Sequence, residues 1–210
     1  VIDSTDSLRR SAYRLAVAAA GVVALSLLYA ISPEVPALTL PTVLRPVAEP
    51  AVAAINLTSV LAATTVLSII AAMRKLPYGM TAILLLCIGS NLTSVGIREW
   101  ASDASATWLP SGHLVAVIAL WGAAFIVAAP RLRPVLAGLG FAVVIAIAGA
   151  VALVNPISVF GIVASLLVGA IWWALASTVM LYSPVAAERE AARPDTAVIA
   201  LNRHRGSYRL

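Results

Sequence analysis

Six apolar runs, each close to the length that crosses a lipid bilayer, dominate this chain. They fall at about 15–32, 51–73, 79–97, 112–129, 134–154 and 158–182. A hydrocarbon core of about 30 Å needs roughly 20 residues of helix. Within lipid the backbone must satisfy its own hydrogen bonds, so each run is expected to be a helix. The expectation is an all-α, polytopic membrane protein with six transmembrane helices. Composition agrees: of 210 residues, 61% are hydrophobic and only 11% charged, against roughly 25% charged in soluble domains. Mean hydropathy is +0.99. The chain then divides into a cytoplasmic segment 1–14, a membrane domain 15–182 and a polar cytoplasmic tail 183–210, expected to be flexible.

The charges assign the sides. Arg9, Arg10 and Arg14 precede the first run, Arg74 and Lys75 follow the second, and Arg131 and Arg133 follow the fourth. Arg189, Arg193, Arg203, Arg205 and Arg209 follow the sixth. With six spans these twelve share one face, leaving Arg45 and Arg98 on the other. The positive-inside rule then puts both termini in the cytoplasm. The net charge of +5 therefore reflects topology and does not point to nucleic acid. The first run is long and has no convincing cleavage site, so a retained anchor is expected. Lys75 is the only lysine; with the Ala and Val richness this suggests a GC-rich bacterial genome, hence a bacterial inner membrane.

The outer face holds three segments. In 33–50, Pro33, Pro36, Pro41, Pro46 and Pro50 are expected to prevent a regular helix. The second segment, from Arg98 to Leu109, carries Glu99, Asp103, Trp100 and Trp108. The third is a tight turn at Asn155-Pro156. Within the spans, Asn56 and Asn91 are expected to face other helices. Gly161, Ser165 and Gly169 repeat every four residues; they allow close helix contact in this bundle or with a partner. Trp172 and Trp173 read as packing or interface residues. Cys87, the only cysteine, reads as a buried inert thiol.

One local motif carries chemistry. Pro110-Ser111-Gly112-His113 stands where the second outer loop enters the fourth run. Ser111 and Gly112 at a helix start offer backbone N–H groups and a hydroxyl to an anion. His113 can protonate a leaving oxygen near neutral pH, and Arg98 adds a cation. The plainer reading is a helix start, with Ser111 as its cap. Arg98 can likewise be an interfacial anchor, and His113 can hydrogen-bond Glu99 or Asp103.

The arrangement resembles the type 2 phosphatidic acid phosphatase superfamily of bacterial membrane proteins. The resemblance implies six spans and an outer-face site that removes phosphate from lipid phosphates or polyprenyl pyrophosphates. Its second motif, Pro-Ser-Gly-His at the start of span four, matches Pro110 to His113. It also implies a phosphate-binding set of Arg98, Ser111 and Gly112, with His113 as the retained catalytic residue. The rest of the family pattern is missing. Arg98 fits the first basic position of the first motif, but Ser105 and Ala106 stand where Arg-Pro is expected. In the third motif, framed by Asn155-Pro156, the Arg, His and Asp positions fall near Ala148, on Val154 and on Ser158.

A count of imidazoles leads to the same place. The family mechanism needs two outer-face histidines, one to attack phosphorus and one to protonate the alcohol. This chain has His113 and His204 only, and His204 is expected on the inner side. The expected function is a pseudoenzyme that binds lipid phosphate or serves as an accessory subunit of a membrane complex. The alternative is an active phosphatase on phosphatidic acid or polyprenyl (pyro)phosphate. A transporter or channel is disfavoured by the lack of charge within the spans. Membrane lipids, and other membrane-protein subunits, are the partners implied. No metal site, cofactor or nucleic acid is indicated.

Overall fold

A computed structural model describes residues 4–31, 36–38, 40–101 and 105–181. The tail 183–210 with His204, and Glu34 and Asp103 of the outer loops, lie outside the described residues. Among the described residues the regular structure is helical: α1 (Ser4–Ile31), α2 (Arg45–Ala53), α3 (Leu57–Met73), α4 (Pro77–Trp100), α5 (Gly112–Val127), α6 (Arg133–Val154) and α7 (Val159–Leu181). A single 3-10 turn, Thr42–Leu44, leads into α2.

Four helices are long and apolar enough to cross a membrane: α1, α4, α6 and α7. The pair α2 and α3 makes a fifth if the two are taken as one bent span. The described residues are therefore all-α, and their long apolar helices make this a multi-pass membrane protein. Helix α5 is apolar but only 16 residues long, about 24 Å at 1.5 Å per residue.

Two sequence expectations change here. The run 51–73 is not one helix: it breaks between Ala53 and Leu57, and the halves meet at 58°. The cause is Asn56. Its Oδ1 accepts from the Ser59 N–H at 2.9 Å, and Ser59 Oγ accepts from the Asn56 N–H at 3.0 Å. This reciprocal capping box starts a new helix. Asn56 is thus an exposed cap, not a mid-span packing residue. The proline-rich stretch is likewise partly helical. Pro46 falls in the first turn of α2, where a missing N–H costs nothing. Pro50 costs that helix one internal bond. Ala48 and Val52 bury the inner face of α2 against Val151, Ala152 and Ile157, which offsets the loss.

The centre of the bundle is α4, α5 and α7, with α3 against α4. Ala71, Ile83, Leu86, Ala119, Ala123 and Ala176 meet there. Small side chains at these crossings let backbones approach, which is what drives packing where lipid is as apolar as the core. Helices α5 and α7 run parallel: Ser111 meets Ser165, and a Cβ on Gly169 would stand 2.3 Å from Ile118 Cγ2. The small-residue repeat of α7 is therefore spent inside this bundle. Helix α1 packs on α7 and is otherwise largely exposed.

The ends of the helices form two sets. At one end Arg14 donates to the Ser177 carbonyl and Arg74 to the Val127 carbonyl. Helix α3 closes there in a Schellman turn. The N–H of Leu76 bonds to Ala71 O, and that of Lys75 to Ala72 O, both at 2.9 Å. Lys75 takes the left-handed conformation, φ 54°, usually filled by glycine. The other end gathers Tyr29, Arg98, the 105–111 loop and the α6–α7 turn.

Candidate functional site

Arg98 lies in the last turn of α4, and Pro110 ends the loop that leads into α5. The Arg98 guanidinium grips the Pro110 carbonyl, Nε at 3.0 Å and Nη2 at 2.8 Å. That places the cation beside the first turn of α5: a Cβ on Gly112 would stand 3.7 Å from Arg98 Nη2. The half-buried His113 is next in the same turn. The first helical N–H of α5 to find a backbone acceptor is that of Val115, on Ser111 O at 2.9 Å. The N–H groups of Gly112 and His113 precede it and stay available, as at any helix start.

Ser111 takes a different role from the one expected. It holds the N-cap position with extended backbone, but its side chain makes no capping bond. Its own N–H donates to Ser165 Oγ at 2.9 Å, and Ser165 Oγ passes a hydrogen bond to Gly161 O at 2.7 Å. The amide expected to meet an anion is therefore already used, and buried. Of the expected phosphate set, Arg98 and Gly112 stand together with His113, and Ser111 commits its backbone N–H to Ser165 of α7.

The loop before α5 is latched to the start of α7. Ser158 N–H and Oγ both donate to Thr107 O, at 2.8 and 3.0 Å. Trp108 stacks on Phe160 with centroids 5.7 Å apart. Gly161 admits the loop backbone, since a Cβ there would come within 2.8 Å of Thr107 O. Ser158 is the residue that the family frame aligns with the orienting Asp; here it is fully buried and ties a loop down. Val154 and Ala148, in the frame of the other two catalytic positions, join apolar clusters.

Arg98, Gly112 and His113 line one end of a cavity of roughly 750 Å³ between α3, α4 and α5. Along α4 its wall is Met80, Leu84, Ile88, Asn91, Val95 and Arg98. Spacings of three and four make this one helix face, about 27 Å long over 18 residues. Helix α3 and its cap face it with Asn56, Val60, Thr64 and Ser68. Asn91 donates to Cys87 O at 2.7 Å in its own helix and borders the cavity rather than a neighbouring helix. The result is a mostly apolar trough with its cation and imidazole at one end. Arg45 is elsewhere, paired with Glu49 at 2.9 Å.

Among the described residues no carboxylate lines this trough, and His113 has no hydrogen-bond partner; Glu99 is exposed and not bonded to it. Nor do three His, Cys, Asp or Glu residues converge anywhere among them. The corner can attract an anion and donate a proton. Among the described residues it offers no second imidazole to attack phosphorus.

Sequence reasoning missed Thr107 and Thr93, and took Ser165 for a small contact residue without its role as an acceptor. Thr93 Oγ1 accepts from Trp172 Nε1 at 2.9 Å, which fixes Trp172 as a packing residue. Each of the three acts on a partner more than 50 positions away, and no local pattern announces such a pair. No protein-family model, curated protein or solved structure matches this chain.

Proposed function

We propose that this chain is a degenerate relative of the type 2 phosphatidic acid phosphatases that binds a lipid phosphate without hydrolysing it. The reading places it in a bacterial inner membrane with six crossings, α2 and α3 together making one and α5 the short one. Both termini are then cytoplasmic. The gathering of Arg14 and Arg74 at one end, opposite Arg98, supports that orientation through the positive-inside rule.

One observation carries the functional reading. Arg98, Gly112 and His113 sit at one end of a trough whose remaining walls are chiefly apolar. A phosphate at the guanidinium and first-turn N–H groups, with hydrocarbon along α4, matches that polarity. Catalysis is argued against by the side chains at the nucleophile and orienting positions. Val154 cannot attack phosphorus, and Ser158 is committed to Thr107. Losing even one electrostatic donor costs such reactions ~100-fold.

The experiment is a pair of measurements on purified protein. Binding of phosphatidic acid is measured by titration. Phosphate release is assayed with phosphatidic acid and undecaprenyl pyrophosphate. Binding without turnover is expected. Turnover that disappears in His113→Ala would overturn the proposal in favour of an active phosphatase, and an absence of binding would overturn it in favour of an accessory subunit.

A further inference from the structure

A second concavity, of roughly 770 Å³, opens at the opposite end of the bundle between α1 and α7. Arg9, Arg10 and Arg14 line it with Tyr13, Val17 and Trp173. Arg9, Tyr13 and Val17 are four residues apart and form one stripe of α1; Arg10 and Arg14 form the next. From Arg9 to Val17 is about 12 Å along the helix. The wall changes character over that distance, from guanidinium groups at the rim to Val17 and Trp173, 42% and 43% exposed, deeper in. Arg14 is fixed by its bond to the Ser177 carbonyl of α7. Trp173 is held against Gly122, where a Cβ would meet its Cδ1 at 2.9 Å.

We infer that this concavity binds one phospholipid of the leaflet on that side, with a net negative headgroup on the arginines and an acyl chain along Val17 and Trp173. The inference is independent of the reading of the Arg98 trough. Charge complementarity carries it. Segment 1–14 contains Asp3 and Asp6 beside its three arginines, so its overall charge attracts little. All three arginines line the concavity. The depth of the apolar wall separates a lipid from a free anion, which would occupy the rim alone.

The test uses the purified full chain in neutral detergent micelles doped with phosphatidylglycerol or phosphatidylcholine. Retained lipid is counted by native mass spectrometry. Wild type should keep a single phosphatidylglycerol and no phosphatidylcholine. The exposed double variant R9Q/R10Q should weaken that retention by roughly 30-fold, the effect expected for two surface arginines. R131Q/R133Q removes as much charge from the same end and should change it by no more than about threefold. Equal retention of the two lipids would overturn the inference. So would equal losses in the two double variants, which would mean diffuse charge, and so would displacement of the lipid by inorganic phosphate, which would mean an anion site alone.

Discussion

The guanidinium of Arg98 spends two donors on a single acceptor, the carbonyl of Pro110. The contact joins the end of α4 to the start of α5 across a loop of 11 residues, 101–111. It also aims the charge at the N-terminal turn of α5, where the helix dipole is positive and a bare cation is not otherwise favoured. An anion in front of that turn resolves both positive ends at once.

Replacing Arg98 should therefore weaken lipid-phosphate binding more than it weakens the fold. R98Q is expected to lower phosphatidic acid affinity about tenfold or more, the scale of hydrogen bonds to charged groups. R98K keeps the charge without the fork and should fall between. Titration calorimetry in micelles measures both. Equal affinities in wild type and R98Q would remove Arg98 from the site.

Ser165→Ala deprives the buried Ser111 N–H of its acceptor. Interhelical hydrogen bonds in membranes are worth ~0.6 kcal/mol on average and ~1.7 at most, because the unfolded chain in lipid finds other partners. A loss of about 1 kcal/mol is expected, read by reversible unfolding in mixed micelles. Stability equal to wild type would mean that another group takes over the amide.

Glycine positions on two helices should behave oppositely. In Gly169→Ala the new Cβ would stand 2.3 Å from Ile118 Cγ2, so Ile118 must shift or α5 and α7 separate, at a cost of about 1–3 kcal/mol. Gly138 on α6 has nothing within 4 Å of its Cβ position, and Gly138→Ala should be neutral or slightly stabilising. Comparing the two melting temperatures checks the helix packing directly; similar shifts would contradict it.

Lys75→Gly should stabilise the protein. The left-handed backbone there, φ 54°, costs a side-chain-bearing residue about 1 kcal/mol relative to glycine. The Schellman bonds of Lys75 and Leu76 do not involve the side chain, so they survive the change. The same unfolding measurement reads the gain, and a destabilised variant would show that the ammonium group is needed.

Much of this architecture is legible from the chain alone, for physical reasons. Hydrocarbon forces apolar runs into helices, so α4, α6 and α7 lie within a few residues of where Gly79 to Ile97, Pro134 to Val154 and Ser158 to Tyr182 place them. The start of α5 at Gly112 agrees with Pro110 and Ser111 just before it. The break before Leu57 does not show in hydropathy, because Ala51 to Ile55 are as apolar as the start of α3; the clue is the Asn56–Ser59 spacing of a capping box. Helix α2 is hidden by a count of prolines, and emerges only from asking where each proline would fall. At the candidate site, Arg98, Gly112 and His113 are readable as a group. The commitment of the Ser111 N–H is not, since Ser165, its acceptor, is 54 residues distant.

The outermost helix also sets an order of events. Helix α1 leans on α7 along its length, with Arg14 pinned near one end and the Tyr29 hydroxyl reaching the Trp108 carbonyl at 3.4 Å near the other. Under mechanical load applied at the amino end, this seam and its pins would give way first. The remaining helices would stay assembled around α4, α5 and α7. A pulling trace should begin with one small early rip of about 28 residues, the length of α1, before the main rupture.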